Sequence, residues 1–145
     1  MKRMVKEKHM FTLRAVGKND LKFLFDLLSE RDERVNISHK KMPTFEQHKK
    51  FVLSKPYSKW YVIIYRKTKI GSIYLSKQDE IGIFVKKEFQ NKGIGKDALE
   101  LLMKKNPRSR YLANVNPKNK KSIEFFKNNN FKILQHTYEF SIDKN

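Results

Sequence analysis

The residues with the plainest chemical capacity lie in one run, Gln90-Asn91-Lys92-Gly93-Ile94-Gly95-Lys96, between an apolar stretch and a helical pattern. A strand that turns through glycines into a helix leaves backbone amides that no helical carbonyl accepts, and these add to the positive end of the helix dipole. Such a turn suits a phosphate. Gly93 and Gly95 have no Cβ to block close approach of a pyrophosphate, and Lys92 and Lys96 put positive charge beside it. The spacing is not that of the Walker loop, with its four residues between glycines and its Gly-Lys-Ser/Thr ending, and the third glycine of a dinucleotide fingerprint is missing. Taken alone, the run fits an ordinary turn with a glycine at a helix start equally well. Cysteine is absent, which excludes disulfides, thiolate metal sites and a cysteine nucleophile; with four His as the remaining soft ligands, no metal is expected.

The elements around the loop read in order. Phe11 to Val16 alternates as a strand, and Gly17-Lys18-Asn19-Asp20 supplies turn and N-cap chemistry before Leu21, Leu24, Phe25, Leu27 and Leu28 at helical spacing. Thr44 and Gln47 form a capping box for a second helix that runs to about Lys55. Trp60 to Tyr65 and Ile70 to Leu75 make a hairpin, and Ile81 to Phe89 is a third consecutive strand, whose interior Gly82 marks a bulge or a close backbone approach. Trp60 and Tyr61 read as core. After the loop, Lys96 to Lys105 sets Ala98, Leu99, Leu102 and Met103 on one helical face. Tyr111 to Val115 is a further strand, and Asn119 to Asn129 a fourth helix stopped by Asn128-Asn129-Asn130. Phe131 to Leu134 and Thr137 to Ile142 finish as two strands. No linker or repeat interrupts this order, so residues 1–145 read as a single α/β domain with a basic N-terminal segment at 1–10.

The chain has 145 residues, with 33 Lys and Arg against 15 Asp and Glu, for a net charge of +18. Hydrophobic residues make up 39% and aromatics 12%, which predicts a modest, aromatic-rich core. The basic balance, with a pI near 10.1, predicts an anionic partner: nucleic acid, a nucleotide-bearing cofactor or an acidic surface. The positive residues are scattered rather than blocked, and no helix-turn-helix, zinc finger or single-stranded RNA signature is readable, so nucleic acid is not favoured. No apolar run approaches the roughly 18 to 20 residues that cross a bilayer, and no apolar signal core follows the basic start. A cytoplasmic protein without a membrane partner is expected.

Two motifs carry a family resemblance. Gln90-Asn91-Lys92-Gly93-Ile94-Gly95 is similar to the Gln/Arg-x-x-Gly-x-Gly/Ala loop of the GNAT N-acetyltransferase superfamily, with Val85 at the family's usual place before it. Asn119-Lys120-Lys121-Ser122-Ile123-Glu124-Phe125-Phe126, continuing to Asn130-Phe131, resembles the family's Asn-x-x-Ala/Ser-Ile-x-x-Tyr-x-x-x-Gly-Phe helix. The resemblance covers Phe11 to Ile142 and implies one GNAT-like domain: a mixed, mostly antiparallel central sheet of about seven strands with about four helices.

It also implies an acyltransferase that uses acetyl-CoA as co-substrate. The pyrophosphate would rest on the amides of Gln90, Asn91, Lys92, Gly93, Ile94, Gly95 and Lys96, and the pantetheine arm would lie along Ile83, Phe84 and Val85. Backbone amides there could polarise the thioester carbonyl. Asn119 and Ser122 match positions beside that arm, although plain helix capping explains Asn119 as well. Phe126 stands beside the cofactor where the family often has the Tyr that protonates the departing thiolate, so water, Ser122 or Tyr138 would substitute. Glu80 and Asp79 open the strand that the family places beside the reacting carbon, and Glu80 is the preferred base. Arg31-Asp32 and Thr44-Phe45-Glu46-Gln47-His48-Lys49-Lys50-Phe51 resemble GNAT enzymes that acetylate nucleotide-linked amino sugars. By that resemblance His48 is base or substrate anchor, Arg31 lies near the same mouth, and the acceptor is a small-molecule amine on an anionic nucleotide-sugar. A protein N-terminus, a lysine or a polyamine are competing acceptors. A GNAT-shaped module that binds CoA or RNA without turnover is the rival class. Nothing in the sequence sets an oligomeric state.

Overall fold

The computed structural model describes residues 11–30 and 42–142. The basic segment at 1–10 and Arg31 lie outside the described residues. Four strands form one sheet in the order β1-β2-β3-β4: β1 Phe11–Ala15, β2 Lys59–Tyr65, β3 Thr68–Leu75 and β4 Ile81–Val85. All three ladders are antiparallel. Four helices accompany them: α1 Leu21–Ser29, α2 Phe45–Leu53, α3 Ile94–Lys105 and α4 Lys120–Asn128.

β2 is built from Lys-Trp-Tyr-Val-Ile-Ile-Tyr, β-branched and aromatic residues that fit a pleated surface. A two-residue turn, Arg66-Lys67, joins it to β3 with positive φ at both positions (48° and 66°), the handedness that matches strand twist. The sheet's two faces then follow from alternation. Leu13, Ile63, Ile73, Leu75 and Ile81 point to one side, where they join Ile94, Ala98, Leu99 and Leu102 of α3 in the main core. Val62, buried on the opposite face, and Leu24, Leu27 and Val52 of α1 and α2 stand apart from that cluster. The two faces are called here the core face and the far face. The helix pair α1–α2 lies against the far face, with α1 in contact with β3.

The corner that joins β1 to α1 is fixed by charge. Asp20 is fully buried, accepts two hydrogen bonds from Arg14 (3.0 and 2.8 Å) and one from the Gly17 amide (2.8 Å), and lies 2.7 Å from Lys69 Nζ on β3. Burial pushes its carboxyl up, but the hydrogen bonds from Arg14, Lys69 and Gly17 outweigh burial and hold it well below the usual carboxylate range. The sequence assigns Asp20 to N-cap chemistry. It is the N-cap residue of α1, yet its side chain makes no cap bond to that helix. At α2 the capping box forms as read: Gln47 N–H donates to Thr44 Oγ1 (3.1 Å) and Thr44 N–H to Gln47 Oε1 (2.9 Å).

The expectation of about seven strands is corrected to four among the described residues. Of Tyr111 to Val115, only Leu112 pairs, in an isolated parallel bridge to Glu80. Phe131 to Leu134 and Thr137 to Ile142 take no regular structure, and Tyr138 and Phe140 are 91% and 92% exposed. Their alternation is β-like, but a strand is a property of a pair, and these residues join no strand ladder among the described residues, although Phe131 packs against the main core. β4 also ends at Val85 rather than Phe89, because Lys87–Phe89 winds into a 3-10 turn, and α3 begins at Ile94, two residues ahead of the expected Lys96. Gly82 marks a close approach, not a bulge; the register shift in the sheet falls at Ile63/Ile64.

Asp20→Ala should lower unfolding stability in urea by about 3–5 kcal/mol, the range for removing one partner of a buried ion pair. Because the folded state holds Asp20 below its ordinary 3.8, its contribution is complete above that value and is lost as pH falls toward the folded value. Asp20→Asn should flatten that acid-side loss in a stability-against-pH series.

Candidate active site

Two neighbouring features define the site. The first is the start of α3. Asn91 and Gly93 both take positive φ (63° and 77°), Gly93 is the N-cap, and no side chain caps the helix. The first amide with a backbone acceptor is that of Asp97, which donates to Gly93 O at 3.2 Å. The amides of Gly93, Ile94, Gly95 and Lys96 therefore stand uncapped among the described residues, at the positive end of a twelve-residue helix. Lys96 is exposed, and Lys92 folds back over the Phe89 ring, 5.8 Å from its centroid. A Cβ on Gly95 would lie 3.0 Å from Phe125 Cε1, so this glycine lets α3 and α4 close on one another.

The second feature is the free edge of β4. Ile81 N–H donates to Leu112 O (2.7 Å), which turns the backbone of Ile81 away from β3. Alternation puts the amides and carbonyls of Ile83 and Val85 on that same edge, and Lys86 N–H, of opposite parity, donates to Ile70 O of β3 (2.8 Å). Beyond Leu112 the neighbouring segment stops pairing, so the edge opens from Ile83 onward. Gln90 Nε2 closes part of it by donating to Val85 O at 2.8 Å. Gln90 thus links the loop to the strand end.

Glu80 sits where the edge begins to open. Ser76 Oγ donates to Oε1 (3.0 Å) and Asn114 Nδ2 to Oε2 (2.6 Å), so the carboxylate ties the β3–β4 turn to the adjacent segment. Asp79 takes φ 63° in that turn, and Arg108 Nε holds its carboxylate at 3.0 Å. Asn119 caps α4 by accepting from Ser122 N–H at 3.2 Å, the ordinary role weighed for it. Phe126 is buried against Phe125 and Phe131, with ring centroids 5.1 and 5.0 Å apart.

His48 is buried between α1 and α2, in edge contact with Phe25 at 5.5 Å. Burial pushes its pKa below the ordinary 6.5, partly offset by a hydrogen bond to the Leu21 backbone. Among the described residues its Nε2 is buried without a hydrogen-bond partner, as is Trp60 Nε1. The structure therefore brings Gln90 to Lys96, Ile83 to Val85 and Glu80 into one region, leaves Tyr138 in solvent, and sets His48 in the helix pair. Tyr61 lies with the core, its hydroxyl accepting from Asn106 Nδ2 at 3.1 Å. Trp60, read as core, instead joins Phe51, Tyr57 and Tyr74 in a half-buried aromatic cluster on the far face. Strand parity was the available signal, since Trp60, Tyr74 and Gly82 occupy facing positions across three strands.

Among the described residues no three His, Asp or Glu side chains group to hold a metal, and no helix is long and apolar enough to cross a membrane. The uncapped amides fit a diphosphate, and the open edge fits a chain that carries amides of its own.

Comparison with known proteins agrees with this geometry. No curated protein matches the chain in sequence. Among solved structures, a domain from Methanocaldococcus jannaschii superposes with a TM-score of 0.79 at 23% identity, over 89% of this chain and 92% of that one. RimL, a ribosomal L7/L12 alpha-N-protein acetyltransferase in complex with coenzyme A, gives 0.71 at 19% identity, over 87% and 82%. The dodecameric spermidine N-acetyltransferase from Vibrio cholerae gives 0.69 at 18% identity, over 94% and 87%. These likenesses establish the fold. Residues 21–131 match the Acetyltransferase (GNAT) family, a span that holds the loop, the open edge and Glu80 together, and the chain accordingly belongs to that family and is an acetyl-CoA-dependent acetyltransferase.

Proposed function

We propose that this chain transfers the acetyl group of acetyl-CoA directly to a primary amine on an anionic acceptor, with a nucleotide-linked amino sugar as the leading case. One observation carries the cofactor half of this reading: four amides, Gly93 to Lys96, stand uncapped beside a strand edge that is open from Ile83 onward. The amides would hold the diphosphate, and Ile83 and Val85 would pair with the pantetheine arm.

The acceptor half rests on charge. A net +18 repels a polycation and draws in a nucleoside diphosphate, an attraction that acts over a screening length of about 8 Å at physiological salt. A protein N-terminus or lysine within an acidic surface meets the same requirement; spermidine does not.

In the transfer the amine's lone pair forms the C–N bond as the C–S bond breaks. Sulfur takes the electron pair, and the amine gives up a proton. Glu80 is the base of this proposal. Ser76 and Asn114 fix both of its oxygens, and a carboxylate so held retains lone pairs for that proton, directly or through one water. His48 is an anchor or second base on the helix-pair side. A thiol pKa of about 8.5 makes thiolate a tolerable leaving group, so Phe126 does not bar the step. A cytoplasmic site suits a chain without cysteine.

Acetyl-CoA at about 100 times its dissociation constant should stabilise the protein by about 2.7 kcal/mol, a rise of about 5–10 °C in melting temperature. Gly93→Val should abolish the rise, because the new side chain meets both the left-handed backbone and the diphosphate; an unchanged rise would place the cofactor elsewhere.

Glu80→Gln should lower kcat by about 10²- to 10⁴-fold in a thiol-release assay while leaving the acetyl-CoA melting shift in place. For His48, burial holds the folded pKa below 6.5, so the neutral ring contributes fully above that value and its contribution fades as pH falls. His48→Ala should raise the acceptor KM with little change in kcat if the ring is an anchor, and shift the pH profile if it is a base.

A further inference from the structure

Three positions lie side by side on the far face of the sheet: Trp60 on β2, Tyr74 on β3 and Gly82 on β4. A Cβ on Gly82 would collide with Cζ, Cε2 and the hydroxyl of Tyr74. The tip of the tyrosine ring therefore lies across the backbone of β4, in the space that any other residue at 82 would fill. The other side of the ring is held by Tyr57, parallel within 4° at a centroid distance of 3.8 Å. Trp60 supports Tyr57 edge-on at 4.8 Å, and Phe51 does so at 5.8 Å. This buttress presses a hydroxyl over β4, whose outer edge is open from Ile83 onward among the described residues.

The direction from which an amine can arrive follows from the packing. A pantetheine arm that pairs with the β4 edge as an added strand keeps its thioester near the plane of the sheet. A nucleophile must approach the carbonyl carbon from above or below that plane. On the core face, Ile83 and Phe125 pack against the cluster formed with α3, and Ile83 Cδ1 and Phe125 both lie beside Gly95. With the core face filled there, the amine's approach is assigned to the far face, beside the aromatic cluster and the helix pair α1–α2. Tyr74 stands there over Gly82, between the edge positions Ile81 and Ile83, and Glu80 is the next far-face position along β4.

We propose that Tyr74 is a catalytic residue of the transfer: its hydroxyl oxygen accepts a hydrogen bond from one N–H of the incoming amine and turns the lone pair toward the thioester carbon. The inference rests on the transferase reading above. The hydroxyl keeps its own proton throughout. The C–N bond forms, the C–S pair passes to sulfur, and the proton lost by nitrogen goes to the base, so Tyr74 sets geometry only.

The test measures CoA thiol release at saturating acetyl-CoA with three amine probes: an amino sugar on a nucleoside diphosphate, a peptide with a free N-terminus, and spermidine. Tyr74→Phe removes one oxygen and keeps the stacked ring. It should preserve the acetyl-CoA melting shift and the acetyl-CoA KM while lowering kcat on the best probe by about 10- to 100-fold, the scale of a misaligned nucleophile. Gly82→Ala drives the ring from its seat and should lose a similar factor. The double variant should be no slower than the slower single one, because both changes remove the same contact. A Tyr74→Phe enzyme within about twofold of wild type overturns the inference alone, as do losses that multiply in the double variant. A wild type that shows the melting shift but acetylates none of the probes overturns it together with the acceptor half of the transferase reading. A wild type without the shift removes the cofactor half first, and the inference with it.

Discussion

Backbone amides shielded from water need partners, and strand β4 meets that need mainly along its β3 edge. Its other edge is tied once, by the Glu80–Leu112 bridge, and then left open. A fully paired edge would be an ordinary sheet interior and would leave no place for an amide-bearing chain. An edge with no tie at all would let the segment at 111–115 drift and would unseat Asn114 from Glu80. The single bridge provides both the opening and its fixed width. The side chains of Glu80, Ser76 and Asn114 reinforce that junction where the backbone pairing gives out.

In the proposed reading the opening is useful because the uncapped amides of α3 stand next to it. α3 can leave its first amides uncapped because its burial secures it: Ile94, Ala98, Leu99 and Leu102 lock the helix onto the core face, so its start needs no side-chain cap to stay folded. Gln90 then sets the distance between the two features by reaching back to Val85 O. The helix pair on the far face is anchored separately. Arg14, Lys69 and the Gly17 amide converge on Asp20, so one buried carboxylate fixes the start of α1 against β1 and β3. A charge that well compensated has a strongly preferred geometry, because moving any partner exposes it.

Much of this was legible in the residues. The glycine turn into α3, the four helices among the described residues, the β2–β3 hairpin and the Thr44–Gln47 capping box are local, and each is written in a few neighbouring residues. The family loop fell in order because it is such a local feature. Pairing is different. Tyr111 to Val115 and Thr137 to Ile142 have strand-like alternation, but alternation names a face and not a strand partner, and among the described residues Leu112 alone of them forms a β-bridge. Asp20 read as a cap because its neighbours are turn residues; its engagement with Lys69, 49 positions away in sequence (69 − 20), could not be seen from them. Gly82 read as a bulge or a close approach, and its neighbours in sequence do not name the group that approaches. Placing Tyr74 there takes the register of two ladders.

The register also sorts the polar groups, and this explains how Phe126 can stand where a hydroxyl is customary. Phe125, Phe126 and Phe131 form an apolar wall on the α4 side, with Phe125 and Phe131 joined to the main core. Glu80 and Tyr74 take far-face positions by strand parity, and Ser76 and Asn114 join them through their bonds to Glu80. A dry wall on one side and donors and acceptors on the other give the open edge two unlike surroundings. In the proposed transfer, charge that develops on an attacking nitrogen would be met by those polar groups. The apolar side strengthens those interactions by excluding water, since a lower local dielectric enlarges each of them. An acid on the α4 side would add a second polar surface and weaken that division. Phe126 preserves it, and in the proposed transfer the proton is handled on the far face, where Glu80 stands.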